Sequence, residues 1–144
     1  REMTVGVIVQ TVAITVTVLL AYRLGLNVFA GQEHTDPQQT AETMAFVTLV
    51  MSELLRAYTS RSERYPLWKL GIFTNKYMQY AVLSSLAILA LIFYVPPLQT
   101  VFDTWALPLS VWLMILPLTL VPAAVAEVTK LFLRRRSQKD NLLA

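Results

Sequence analysis

Three long stretches without a charged residue constrain what this chain can fold into: Met3 to Tyr22 (20 residues), Tyr77 to Phe102 (26) and Thr104 to Ala126 (23). At about 1.5 Å of rise per residue, roughly 20 helical residues cross the ~30 Å hydrocarbon core of a bilayer, so each stretch can hold one span. The first is rich in Val, Ile and Thr, which in water would favour a strand. In lipid the unpaired edge of such a strand is prohibitive, so a helix is predicted. It is too long for the apolar core of a signal peptide and is followed by Arg23 and further apolar residues, so it is expected to belong to the mature chain. The segment around Glu53 supplies a fourth, less obvious span. The expected fold is an all-α integral membrane domain covering residues 1–144, with four transmembrane helices at about 3–24, 40–58, 77–95 and 108–133. A hydrophobic content of 56%, a charged content of 15% and a mean hydropathy of +0.53 exclude an ordinary soluble domain.

The 12 Lys and Arg residues are unevenly placed. Arg56, Arg61, Arg64, Lys69 and Lys76 lie at or in the connection between the second and third spans. Lys130, Arg134, Arg135, Arg136 and Lys139 lie at the C-terminal end. The first connection carries Glu33, Asp36 and Glu42 with Arg23 at its border, and the last only Asp103. The positive-inside rule puts the middle connection and both termini in the cytoplasm of a multi-pass protein, with the cell membrane the expected location. Tyr22, Tyr94 and Trp105 then form an external aromatic belt, and Tyr58, Tyr65, Trp68, Tyr77 and Tyr80 a cytoplasmic one. The net charge of +3 describes orientation, not nucleic-acid binding, because the basic residues flank spans and accompany no recognition motif.

Little soluble-type chemistry is available. There is one His and no Cys, and neither a P-loop, a Ser/His/Asp arrangement, a zinc motif nor a dinucleotide fingerprint occurs. What remains is an intramembrane carboxylate. Glu53 lies some 13 residues from the external end of the second span, about 20 Å deep and past the midplane. Arg56 follows three residues later on the same helical face, near enough to the cytoplasm to snorkel. A charge in the bilayer interior costs about 3 kcal/mol or more, so such residues face a bundle interior, a cavity or an ion path. Two readings stay open for Glu53: a structural partner for Arg56, or an ion or proton site with Arg56 as its modulator. Hard cations such as Ca²⁺ take about six to eight oxygens, so most ligands of any ion here would come from elsewhere.

Other polar groups have plainer expectations. Gln10 suits an interhelical hydrogen bond. Gly25 to Thr40, which contains Gly31-Gln32-Glu33-His34, suits a solvated external loop, and Thr59 to Lys76 an interfacial or docking connection. Pro96-Pro97 marks the external end of the third span, and Leu98 to Ala106 a short turn. Pro108 suits the first turn of the fourth, which Pro117 and Pro122 should kink. Glu127 and Lys130 read as a surface ion pair.

The order of motifs from Met44 to about Arg135 resembles the C-terminal membrane region of type II P-type cation-transporting ATPases, the group of the sarcoplasmic-reticulum-type calcium pumps. The resemblance is carried by Thr43-Met44-Ala45-Phe46, the Glu53 helix running into Ala57-Tyr58-Thr59-Ser60-Arg61-Ser62-Glu63, and Tyr94-Val95-Pro96-Pro97-Leu98 with Phe102. It continues through Ala106-Leu107, Leu109, Trp112-Leu113-Met114 and Glu127-Val128-Thr129-Lys130-Leu131. It implies that the four spans correspond to the seventh to tenth membrane helices of such a pump. Glu53 then matches a carboxylate that gives one ligand to a calcium site, the others coming from helices this chain lacks. Where the animal pumps have a neutral amide three residues later, this chain has Arg56, whose guanidinium would compete with a cation.

The resemblance further implies that the chain is part of an ATP-driven cation pump, with Ca²⁺ the expected cargo, and is without catalytic activity on its own. The Asp-Lys-Thr-Gly phosphorylation motif is absent, and Mg²⁺ and ATP would serve the parent pump rather than this chain. Expected partners are the lipid bilayer, the transported cation, and the parent's remaining helices and cytoplasmic domains. A different class of function stays open, a free-standing four-helix membrane protein with a structural or regulatory role.

Overall fold

A computed structural model describes residues 2–28, 36–60 and 75–142, with side chains for 4–28, 36–60 and 75–133. Among the described residues every regular element is a helix: α1 Glu2–Val28, α2 Pro37–Thr59, α3 Lys76–Tyr94, α4 Pro96–Phe102 and α5 Leu109–Leu142. The loop expected over 25–40 is shorter at both ends, since α1 continues to Val28 and α2 starts at Pro37, where Asp36 and Pro37 open the helix; His34 and residues 61–74 of the expected interfacial or docking connection lie outside the described residues.

Local chemistry explains the helix ends. Asp36 caps α2 by accepting from Gln38 N at 2.9 Å, and Pro37 occupies the first helical position, where its missing N–H costs nothing. Asn75 caps α3, accepting from Tyr77 N at 3.1 Å and Met78 N at 3.2 Å. Pro96 cannot donate back into α3, so α3 stops at Tyr94 and the two prolines start α4. The expected turn over 98–106 is therefore largely helical. It closes at Asp103, in the left-handed region at φ 49°, where a short polar side chain is tolerated. The fourth expected span opens one residue late, at Leu109. Pro108 serves as its acceptor, taking Val111 N at 3.0 Å and Trp112 N at 3.3 Å. The helix runs through Pro117 and Pro122 and beyond the expected end at 133.

Helices α1, α2 and α5 pack on one another and form the body of the bundle. A core of Met44, Val47, Leu89, Phe93, Leu107, Val111 and Ile115 gathers toward the N-terminal ends of α2 and α5. Phe93 is fully buried there, edge-on to Phe46 (6.2 Å) and Trp112 (6.4 Å), and brings the C-terminal end of α3 into the core. At the opposite end Gln10 meets Thr59, Tyr58 meets Gln79, and Lys130 meets Thr59. The long helices thus alternate in direction, α1 and α3 one way, α2 and α5 the other.

The distribution of side chains is the inverse of that in a water-soluble bundle. Large aliphatics such as Ile8, Leu19, Leu83, Ile88 and Leu120 are exposed, while Ala21, Ala41, Thr17, Thr40, Thr43, Thr48 and Ser52 are buried. Lipid tails are as apolar as Leu, so small residues that let backbones approach decide which faces meet. Gly25 is one such contact, since a Cβ on it would lie 2.5 Å from Ala41 Cα. Among the described residues three helices are long and apolar enough to cross a membrane: Thr4–Val28, Lys76–Tyr94 and Leu109–Leu133. Helix α2 matches them in length, at about 35 Å. It falls outside by composition, because Gln38, Gln39, Glu42, Glu53 and Arg56 interrupt its apolar residues.

Candidate functional site: the outer face of α2 and the junction behind it

Helix α2 has two faces of different character. Ala41, Met44, Thr48, Ser52 and Thr59 recur at helical spacing and are buried. Glu42, Leu49, Glu53 and Ala57 also recur at helical spacing, on an exposed stripe. Glu53 projects from this stripe, its side chain 48% exposed, with Arg56 33% exposed beside it. The carboxylate expected to face the interior of a bundle thus faces outward from the helices described. One guanidinium nitrogen of Arg56 donates to Glu53 Oε1 at 3.4 Å and to Oε2 at 3.5 Å. Charge-assisted bonds run to about 2.7–2.9 Å, so this pair is loose and leaves lone pairs of the carboxylate open.

Among the described residues there is no group of three or more His, Asp or Glu able to hold a metal ion. Glu53 alone falls far short of the oxygens a hard cation needs. A shallow cavity of about 210 Å³ is lined by Glu42, Thr43, Phe46, Phe102, Asp103 and Thr104. It does not complete the site, because Glu42 is eleven residues before Glu53 on α2, about 16 Å along the helix. There Gln39 of α2 donates to Asp103 Oδ1 at 2.8 Å, tying the helix to the end of α4.

Behind Glu53, at the C-terminal end of α2, polar groups from three helices converge on Thr59. Its hydroxyl accepts from Gln10 Nε2 of α1 at 3.0 Å and donates to Arg56 O at 3.2 Å. Its carbonyl accepts from Lys130 Nζ of α5, and the same ammonium donates to Glu127 Oε1 at 2.9 Å. Arg56 O also receives Ser60 N at 2.8 Å and Ser60 Oγ at 2.6 Å, so the last carbonyls of α2 are well supplied with donors. A cation at this end is further favoured by the helix dipole.

Gln10 thus makes the interhelical bond expected of it. Glu127 and Lys130 depart from expectation: their side chains are only 13% and 12% exposed, so the pair is largely enclosed between helices and not out on the surface. The role of Thr59 was invisible in sequence. A hydroxyl near a helix end is common, and only the crossing of α1 and α5 behind α2 selects this one.

The chain belongs to the family of cation-transporting ATPases, whose C-terminus model matches residues 1–132. It is 32% identical over 130 residues to calcium-transporting ATPase 1 of Bacillus cereus, an alignment covering 83% of this chain and 15% of that protein. It is 34% identical over 91 residues to a calcium-transporting ATPase of Bacillus subtilis (62% of this chain, 10% of that protein). With human calcium-transporting ATPase type 2C member 1 it shares 36% identity over 96 residues (67% and 10%). The chain spans no more than 15% of the length of these relatives. The family, together with three helices apolar enough to span, makes this a membrane protein of the cation-transporting P-type ATPases.

Proposed function

We propose that this chain is a C-terminal membrane-embedded part of an ATP-driven pump in the cell membrane, that Ca²⁺ is its cargo, and that Glu53 contributes one carboxylate oxygen to the ion path. The observation that carries the reading is the outward stripe of α2. Its loosely held carboxylate faces away from the described bundle, in a chain that spans only a small share of its calcium-transporting relatives. The missing oxygens would come from other membrane helices of the parent polypeptide, which would also cover a charge too costly to leave in lipid. ATP and Mg²⁺ would act on domains outside this chain. Arg56, one turn from the carboxylate, would raise the cost of a bound cation and so tune affinity.

In this reading α2 is the fourth span, tolerated despite its polar residues because one face packs on α1 and α5 and the other on the rest of the pump. Both chain ends and the connection over 61–74 are then cytoplasmic, in keeping with the Lys and Arg distribution and the alternating helix directions. Membrane vesicles holding the whole parent polypeptide should take up ⁴⁵Ca²⁺ only with ATP and Mg²⁺. Since the chain has no Cys, single cysteines replacing Asp103 and Asn75 should label from opposite sides. ATP-independent uptake, or labelling of both positions from one side, overturns the reading.

A further inference from the structure

What aims the Glu53 carboxylate lies behind it: Glu53 itself is exposed and bonds only to Arg56 of its own helix among the described residues, while the contact its face makes with α3, Phe46 against Phe93, lies two turns earlier. The N-terminal half of α2 is held sterically, through Ala41 against Gly25 and through Met44 and Val47 in the core. The C-terminal part is held differently. Past Thr48 the fully buried residues of α2 are Ser52 and Thr59 alone. Ser52 Oγ has no hydrogen-bond partner among the described residues, so none of them fixes its direction. Thr59 engages α1 through Gln10 and α5 through Lys130, from six residues beyond Glu53, about 9 Å of helix rise. Tyr58 adds a bond of 3.0 Å to Gln79 of α3, a helix that joins the core through Leu89 and Phe93 near its other end.

Two directional bonds from two different helices fix a rotation where one would leave a pivot. Thr59 sits about 120° around the helix from Glu53, so rotation about the α2 axis at Thr59 swings the carboxylate sideways. Arg56 moves with it, because its carbonyl is part of the same junction. We infer that Lys130 and Gln10 are positioning residues for Glu53: by holding the carbonyl and hydroxyl of Thr59, they set the rotation of the last two turns of α2 and so the direction in which the carboxylate meets a cation. The inference rests on Glu53 being an ion ligand.

The test uses the complete parent polypeptide in membranes and reads the Ca²⁺ concentration giving half-maximal ATP-dependent uptake, alongside the maximal rate per assembled pump. Lys130→Met combined with Glu127→Gln removes the bond to Thr59 and keeps the net charge unchanged. Gln10→Leu removes the other contact with no change of charge. Each should raise the half-saturating concentration about tenfold, equivalent to about 1.4 kcal/mol, while changing the maximal rate less. Lys130→Arg, which keeps a cationic donor, should restore it. In a Glu53→Gln background the same changes should add no further shift, which separates positioning from general loosening of the bundle. If Glu53→Gln shifts the half-saturating concentration but the Gln10 and Lys130 variants do not, or if their shifts persist undiminished in the Glu53→Gln background, positioning is overturned and the ion-ligand reading stands. Unchanged half-saturation in Glu53→Gln itself overturns the ion-ligand reading and the inference with it. Should the Lys130 double variant fail to assemble, Gln10→Leu decides by the same criteria.

Discussion

Two ion pairs in this chain share a spacing and an order, a glutamate followed three residues later by a base, yet they are built for different ends. Glu127–Lys130 closes at 2.9 Å, is almost buried, and ties its ammonium to the carbonyl of Thr59 on another helix. Glu53–Arg56 closes at 3.4 Å, is a third to a half exposed, and has no partner on another helix among the described residues. Desolvation raises the stakes of the first pair, since a buried charge left alone costs several kcal/mol. The second is free to exchange partners, and an exposed pair of this kind is worth about 0–1 kcal/mol. The difference suits a fixed scaffold on one side of α2 and a replaceable ligand on the other.

The comparison breaks first at Lys130. Lys130→Met takes the ammonium away from both the Glu127 carboxylate and the Thr59 carbonyl, and should destabilise the bundle by about 2–4 kcal/mol. Adding Glu127→Gln should recover much of that. Unfolding of the chain in mixed micelles measures both, and a loss below about 1 kcal/mol for the single change would mean that the junction does not hold the helices.

A smaller effect tests the steric half of the scaffold. Gly25→Ala forces α1 and α2 apart at Ala41 and should cost about 1–3 kcal/mol. Gly6→Ala, where a Cβ meets nothing within 4 Å, should be neutral or gain up to about 1 kcal/mol from helix propensity. Equal responses at the two glycines would remove the close approach as a determinant of packing. Smallest of all, Glu53→Gln together with Arg56→Gln should change stability by less than about 1 kcal/mol in the same assay, because no charge is left alone. A loss as large as that of Lys130→Met would erase the contrast between the pairs.

Helix identity and rough extent were legible in the sequence because bilayer thickness and backbone satisfaction leave few alternatives for uncharged runs such as 3–22 and 104–126. The stop at Tyr94 was legible because proline removes a donor. Helix α4 was not, since Pro96-Pro97 signals both the end of one helix and a permitted start of another. Of the candidate site, the shared face of Glu53 and Arg56 follows from helical spacing alone. Which way that face points does not, because it depends on which small residues let α1 and α5 approach the opposite side. The burial of Glu127 and Lys130 was hidden for the same reason: an i, i+3 pair near a helix end looks alike on a surface and between helices until a third helix is placed against it.

The central claim, that Glu53 serves a cation and not merely Arg56, is tested most directly by Ca²⁺ dependence of ATP-driven uptake in the parent polypeptide carrying Glu53→Gln and Arg56→Gln together. The double change leaves no unpaired charge, so a stability loss cannot mimic an ion-site defect. The account predicts an assembled pump whose half-saturating Ca²⁺ concentration stays raised about tenfold or more, in line with the loss of one charged ligand among about six to eight. An assembled double variant with unchanged Ca²⁺ dependence would contradict it.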